Sequence, residues 1–278
     1  MKIHYLGTAA AEGCPALFCK CKLCSTIRSE KNPLDFRTRS QVLIDDSLLV
    51  DFPPDTYHHF LKDAQLDLSA VEHVIITHSH ADHFYPDDFL MKTDCFSATS
   101  AGKLYIYGNQ TVKLCMDTVI TSAPDIYHAK DYLEAVYLAP YVSYSIGNHQ
   151  VTPLLADHKR GENCYIYVIQ SEHKTVLYAN DTGIQLPDET WQQLKQYHFD
   201  LVSMDCTAMN RSVSRNHMGI PDNLFMKQKL SDMDCIDENT KFVLTHFSHF
   251  GGLRHHELVE LTTDHKFIIA YDGFIINI

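Results

Sequence analysis

A single tryptophan, no long apolar run and a shortage of basic side chains limit what this 278-residue chain can be. No segment approaches the roughly 18 uninterrupted apolar residues of a membrane-spanning helix. The opening MKIHYLGTAAAEGCP has no apolar stretch of the kind that marks a secretory leader. The expectation is a cytoplasmic protein with no membrane partner. Lys and Arg number 23 against 35 Asp and Glu, for a net charge of −12. That balance argues against a protein that gains affinity by neutralising many phosphates of a long nucleic acid. Linkers rich in Pro, Gly or Ser, low-complexity tracts and repeats are also missing, so residues 1–278 read as one domain. With 45% apolar residues, such a domain can bury a full core.

What the chain has instead is histidine and cysteine, 18 and nine of them. An odd number of cysteines in a reducing compartment points to core thiols or metal ligands rather than disulfides. Short β-type runs recur along the chain. KIHYLGT, SQVLIDDSLLVDF with Asp45-Asp46-Ser47 as a hairpin turn, HVIITH, CYIYVIQ, KTVLYAND, DLVSMDCT and KFVLTHFSH are among them. Helical patterns at 55–62, 86–91, 111–120, 187–197, 221–230 and 255–262 are interspersed with these runs, some opening on Pro near a first turn. Mixed sheets covered by helices fit this order better than a strictly alternating parallel array.

The densest chemical signal is Thr77-His78-Ser79-His80-Ala81-Asp82-His83, directly after the apolar Val74-Ile75-Ile76. Four candidate ligands in six residues at the exit of a buried strand suit Zn, Mn, Fe or Co, and their spacing lets one loop address two neighbouring ions. His158 after VTPLLAD, Asp181 after TVLYAN and His246 after KFVLT offer matching groups at other strand ends. Nearer the start, Cys19, Cys21 and Cys24 of FCKCKLC can fill three corners of a tetrahedral site within a Cys-rich loop at 13–25. Cys14 is the local choice for a fourth corner.

The order HxHxDH, then a His, the Asp of YANDTG and the His of LTHFSH resembles the metallo-β-lactamase superfamily over nearly the whole chain. GTAAAEGCPALFCKCKLC, MDCT, RNH, LTHFSH and AYDGFIINI are similar to its PhnP-type phosphodiesterases, which hydrolyse cyclic diesters such as a ribosyl 1,2-cyclic phosphate. The resemblance implies a four-layer αββα sandwich. It assigns His78, His80 and His158 to one divalent metal, Zn or Mn, and Asp82, His83 and His246 to a second, with Asp181 between them. Asp51 matches a carboxylate of the superfamily that orders a ligand His from behind, and Asp205, which ends the apolar strand of SMDCT, is expected to order a ligand in the same way or to serve as a structural hydrogen-bonding group. His217, in SVSRNHMGIPDN, matches a proton donor to the leaving group, although Met218-Gly219-Ile220 replaces the polar pair of the pattern. His249 of LTHFSHF matches the fourth ligand of a structural zinc with Cys19, Cys21 and Cys24. A homodimer is also implied.

Two ions sharing a water lower its pKa to about 7 and hold a phosphoryl oxygen as charge develops. A small cyclic or nucleotide-like phosphodiester is therefore the expected substrate, with Asp82 and His217 in the reacting centre. The same centre could run thioester or lactone hydrolysis of the glyoxalase II kind. A tRNA-processing endonuclease shares the His217 position, but the acidic charge and the lack of a basic, Gly-rich arm oppose it. An accessory protein of quinone-cofactor biosynthesis is the non-catalytic alternative. Of the remaining residues, Tyr165 is expected in strand packing and Cys206 is no nucleophile. Arg37-Thr38-Arg39 is expected in an exposed loop, and His58-His59, His128 and His255-His256 on solvated faces or helix ends.

Overall fold

The computed structural model describes residues 1–98 and 102–278. The first half of the chain supplies β1 (Lys2–Gly7), β2 (Gln41–Ile44), β3 (Leu48–Val50), β4 (His73–Ile75), β5 (Leu104–Gly108) and β6 (Leu133–Tyr137). The second half supplies β7 (Tyr144–Ile146), β8 (His149–Leu155), β9 (Tyr165–Ser171), β10 (Lys174–Ala179), β11 (Leu201–Asp205), β12 (Lys241–Thr245) and β13 (Phe267–Ile269). The last strand, β14 (Phe274–Asn277), returns to the first sheet beside β1. The sheet orders are β14-β1-β2-β3-β4-β5-β6 and β13-β12-β11-β10-β9-β8-β7.

Both sheets follow one plan. In the first, the pairings from β14 through β3 are antiparallel and those from β3 through β6 parallel. In the second, the pairings from β7 through β10 are antiparallel and those from β10 through β13 parallel. The sequence shows no repeat, because the correspondence lies in strand pairing and not in side-chain identity.

Two-sided burial explains why so many strands read as continuous apolar runs. Val42, Ile44, Leu48, Val50 and Ile75 of the first sheet meet Val151, Tyr167, Val176, Tyr178 and Val243 of the second in a central core. Alternate residues of the same strands, such as Leu43, Leu49 and Val74, pack outward in a second core with Val112 and Met116 of α3 (Gln110–Ser122). Leu177, Val202, Met204 and Leu244 point the other way, against Leu194 of α5 (Asp188–Leu194), Met226 and Leu230 of α6 (Ile220–Asp232) and Leu258 of α7 (His255–Thr262). The layers are helix, sheet, sheet, helix. Each buried aliphatic side chain contributes about 1.5–3 kcal/mol, so the two outer cores fix the helices as firmly as the central one fixes the sheets.

The expected hairpin turn is present: Asp45 and Asp46 both have positive φ, 47° and 55°, and Ser47 N–H donates to Ile44 O at 3.1 Å. Two strands, β6 and β7, were not expected. The segment 86–91 forms 3-10 turns over Pro86–Lys92 rather than an α-helix. The Cys-rich stretch also differs from a plain loop. Cys21 caps α1 (Lys22–Glu30), its side chain accepting from Cys24 N–H, and Cys24 lies in the first turn. Further on, α2 (Thr56–Lys62) follows the first hairpin, and a short α4 (Ala129–Tyr132) leads into β6.

Candidate metal centre

The candidate ligands gather where strands of both sheets end. Asp51 follows β3, His78–His83 form the loop after β4, His158 follows β8, and Asp181 follows β10. Asp205 closes β11, and His246 directly follows β12. Asp51, Asp181 and His246 all adopt left-handed backbone, with φ of 65°, 49° and 61°. Such a conformation costs a non-glycine residue on the order of 1–3 kcal/mol and is characteristic of over-determined functional sites. Glycine is needed at Gly183, where a Cβ would lie 2.6 Å from Arg215 Cα and 2.7 Å from Asn216 N.

His78, His80, His158 and Asp181 place one donor atom each within 4.8 Å of one another, and so do Asp82, His83, Asp181 and His246. Hydrogen bonds fix the ring protons of four histidines. Thr77 Oγ1–H donates to Asp51 Oδ1 (2.9 Å) and therefore accepts the His78 Nδ1 proton (3.0 Å). His83 Nδ1 donates to Asp51 Oδ2 at 2.7 Å, and His158 Nδ1 to Asn216 O at 3.0 Å. Thr207 Oγ1–H donates to Asp205 Oδ2 (2.9 Å) and so accepts from His246 Nδ1 (2.8 Å). With the rings neutral, as metal ligation requires, each of these bonds leaves Nε2 as a lone pair facing inward.

The consequence is a convergence of acceptors. His83 Nε2 lies 3.2 Å from His246 Nε2, 2.8 Å from Asp181 Oδ2 and 3.2 Å from Asp82 Oδ2. His78 Nε2 lies 2.8 Å from His80 Nδ1 and 3.4 Å from Asp181 Oδ2, while His158 Nε2 is 3.2 Å from His80 Nδ1. Buried acceptors at these separations repel unless a proton or a metal ion lies between them. Asp181 Oδ1 is moreover a buried acceptor with no hydrogen-bond partner among the described residues. A donor set of imidazole and carboxylate, closed on the outside by hydrogen bonds, fits divalent cations of the Zn or Mn type.

The same crowding shows in the acidities. Burial disfavours the Asp181 and Asp82 carboxylates, yet the facing histidines hold both well below the usual carboxylate range. Burial also opposes charge on His246, but Asp181 and Asp205 push it up to about 9.

His217 joins this centre from the loop before α6. Its Nδ1 donates to Asp205 Oδ2 at 2.9 Å, and its ring stacks on His246 with centroids 5.8 Å apart. Burial works against its charged form, but Asp205 and Asp181 outweigh it and push His217 up to about 11. With Nδ1 engaged and 32% of the side chain exposed, Nε2 is the atom left for a ligand. Beside His158 opens a cleft of about 480 Å³ whose lining includes Lys159, Arg160, Arg215, Asp157, Gln185 and Asn216.

A second cluster forms at the N-terminal cysteines. Cys19, Cys21, Cys24 and His249 bring ligand atoms within 4.8 Å of one another. The backbone N–H of Cys24 draws the Cys21 thiol down to about 6, which favours the thiolate that metals bind. Cys14 is not in this group. It packs against Leu23 and Ile27, and burial pushes its thiol up to about 12.

Other expectations are corrected. Arg37 is not in an exposed loop. It is buried, donates to Thr8 Oγ1 (2.8 Å) and Ala270 O (2.6 Å), and lies over the Phe247 ring. Arg39 pairs with Asp55 at 3.1 Å, and Thr38 Oγ1 donates to Asp272 Oδ2 at 2.6 Å. His59 is buried rather than on a solvated face, bonded to Gln41 Oε1 at 2.6 Å, whereas His255 opens α7, at a helix end as expected, half-buried beside Arg37. His58, His128 and His256 are exposed. Tyr165 packs in the central core with its hydroxyl on Leu138 O, and the buried Cys206 thiol is pushed well above its ordinary value. Thr77 and Thr207, which set the ring protons of His78 and His246, were given no role from the sequence. Their only mark there is a hydroxyl next to a ligand in TH and next to a carboxylate in DCT.

The fold is shared with solved structures. A diphosphatase from the PhnP family superposes over 100% of this chain and 97% of its own, with a TM-score of 0.73 at 20% identity. Zinc-bound PqqB from Methylobacterium extorquens superposes over 100% of both chains, with a TM-score of 0.77 at 14% identity. In sequence, coenzyme PQQ synthesis protein B of Methylobacterium radiotolerans is 30% identical over 93 residues. That match spans 30% of this chain and 31% of the relative. A family model described as the beta-lactamase superfamily domain matches residues 46–247, from the first hairpin turn to just beyond His246. With its two mixed sheets between helices and its histidine-aspartate clusters at the strand ends, the chain belongs to the metallo-β-lactamase superfamily.

Proposed function

We propose that the chain is a metal-dependent phosphodiesterase acting on a small cyclic or nucleotide-like diester. The observation that carries this reading is the setting of His217, held by Asp205 at the mouth of the ligand clusters and beside a cleft lined by Lys159, Arg160 and Arg215. Lys159 is paired with the buried Glu162 at 2.8 Å, which leaves Arg160 and Arg215 against a single carboxylate, Asp157, in the cleft lining of a chain of net charge −12. An anionic substrate is favoured over a neutral lactone or thioester.

His78, His80, His158 and Asp181 would hold one divalent cation, Zn or Mn, and Asp82, His83, Asp181 and His246 the other. Bound there, the pair lowers the pKa of a water to about 7 and offsets the charge that develops on the phosphoryl oxygens. The protein's own groups do the rest. Arg160 and Arg215 draw the anion in, and His217 Nε2 gives a proton to the departing oxygen while Asp205 steadies the ring. Cys19, Cys21, Cys24 and His249 would hold a structural zinc. The nine free thiols suit a reducing cytoplasm, and the likeness to PhnP-type enzymes supports a homodimer.

The test is a substrate panel on the metal-loaded chain. It comprises bis-nitrophenyl phosphate, 2′,3′-cyclic nucleotides, a ribosyl cyclic phosphate, a thioester and a lactone. Turnover of the diesters above the last two is expected. Two metals bound in the clusters with no diester hydrolysed would overturn the reading.

A further inference from the structure

We infer that Glu162 is the positioning residue of the first histidine cluster, clamping the two chain segments that carry His78, His80 and His158. The inference rests on the reading of that cluster as a metal site. Its starting point is an energetic problem. His78 Nε2 and His158 Nε2 are lone pairs by their outer hydrogen bonds, and His80 Nδ1 lies 2.8 and 3.2 Å from them. Before a cation enters, the one proton His80 Nδ1 can carry serves only one of these two lone pairs, so the cluster's own bonds do not join all three rings. A contact outside the cluster can hold the segments together.

Glu162 meets both segments at once. Its side chain is 2% exposed. Oε1 accepts from Ser79 N–H at 2.8 Å and from Asn109 Nδ2 at 2.8 Å. Oε2 accepts from Ser79 Oγ at 2.6 Å and from Lys159 Nζ at 2.8 Å, and Lys159 Nζ also reaches Ser79 Oγ at 3.0 Å. All four lone-pair directions of the carboxylate are thus filled. Ser79 stands between His78 and His80, and Lys159 directly follows His158. One segment leaves the first sheet after β4 and the other leaves the second sheet after β8, so the clamp spans the two sheets. Asn109 anchors it to a rigid element, because its Oδ1 caps α3 by accepting from Val112 N–H at 2.9 Å. Charged, fully satisfied hydrogen bonds in a buried setting are among the stronger polar contacts.

Among the described residues, no comparable carboxylate ties the segments of the other cluster to each other. There Asp51 holds His83 through its ring, a contact made by the ligand itself. Glu162 touches no ligand side chain and acts only through the neighbours Ser79 and Lys159. Its removal should therefore affect one metal and not the others.

The variant Glu162→Gln keeps the shape, removes the charge and replaces one oxygen by an NH2 group, which loses the Lys159 bond where it takes the place of Oε2 and both N–H bonds where it takes the place of Oε1. Metal-stripped full-length chain is titrated with cobalt in competition with a chelator, and metal content is read after dialysis against a weak chelator. Thiolate-to-cobalt absorption follows the cysteine cluster separately. E162Q is expected to bind one cation of the histidine-aspartate centre about 10- to 100-fold more weakly, with the other and the cysteine-bound ion unchanged. A general loosening of the fold would instead weaken all of them together, and that result overturns the inference. Ser79→Ala, which removes only the hydroxyl bond, is expected to shift the same ion by less, and it decides the matter if E162Q does not fold. Wild-type affinity at every site in both variants also overturns the clamp and leaves the metal reading standing. A wild-type chain that takes no cation at His78, His80 and His158 defeats both.

Discussion

Cys19 Sγ stands 3.5 Å from His249 Nδ1 although 230 positions separate them in the chain. His249 is only three residues beyond His246, so an ion held between the cysteines and His249 would tie the N-terminal segment to the strand end that carries a ligand of the metal centre. His249→Ala is expected to lose one zinc per chain and to lower activity by loosening His246. Cys14→Ser, outside the cluster, is expected to keep the full zinc content. Elemental analysis of both variants checks this, and loss in C14S with retention in H249A would reverse the assignment.

Asp181 makes a different kind of prediction, because Oδ2 faces both ligand groups, 2.8 Å from His83 Nε2 and 3.4 Å from His78 Nε2. Asp181→Ala removes the one donor common to both. Metal occupancy and turnover are expected to fall together, and a variant with full occupancy and normal turnover would contradict a bridging carboxylate.

His217 can be separated from the ligands kinetically. His217→Ala is expected to retain its metals and to lose about 10²- to 10⁴-fold in rate on diesters with poor leaving groups. Nitrophenyl esters, whose leaving oxygen needs no proton, should lose far less. Equal losses on both classes would remove the proton-donor role.

The candidate ligands stood out in the sequence as polar residues at or just beyond the ends of apolar strands, which two faces of burial make conspicuous, and the resemblance to the metallo-β-lactamase superfamily sorted them into two groups. Asp51 and Asp205 could be placed for the same reason. Thr77, Thr207 and Glu162 could not, since a hydroxyl or a lone carboxylate in a loop has no period and gains its role only from a neighbour remote in sequence. Arg37 and His59 were misjudged on composition. A charged or polar triplet in RTRS reads as solvent-facing, yet the packing of Arg37 on Phe247 and its bonds to Thr8 and Ala270 satisfy it inside. The strands β6 and β7 were missed because LEAVY and YSI are half-exposed at sheet edges and lack the long apolar run of the central strands.

The buried His59 gives a stability prediction independent of the metal centre. Burial lowers it from 6.5 to about 4, against the opposing pull of Asp55. Its Nδ1 donates to Gln41 Oε1, and Nε2 lies 2.7 Å from Thr38 Oγ1. Between those two values the unfolded chain binds the proton and the folded chain does not, so stability rises with pH across that window. The contribution is therefore fully present above pH 6.5 and lost as the pH falls toward and below 4. The shift is worth about 3 kcal/mol at most, at about 1.4 kcal/mol per unit. His59→Gln cannot take up that proton. It is expected to be less stable than wild type at pH 7.5 by about 1–3 kcal/mol, through the disturbed bond to Gln41, and to lose less stability on acidification. Urea unfolding at pH 7.5, 5.5 and 4.5 measures both effects, since other titrating groups contribute equally to the two proteins. Parallel pH profiles for H59Q and wild type would show that His59 does not titrate on unfolding in this range.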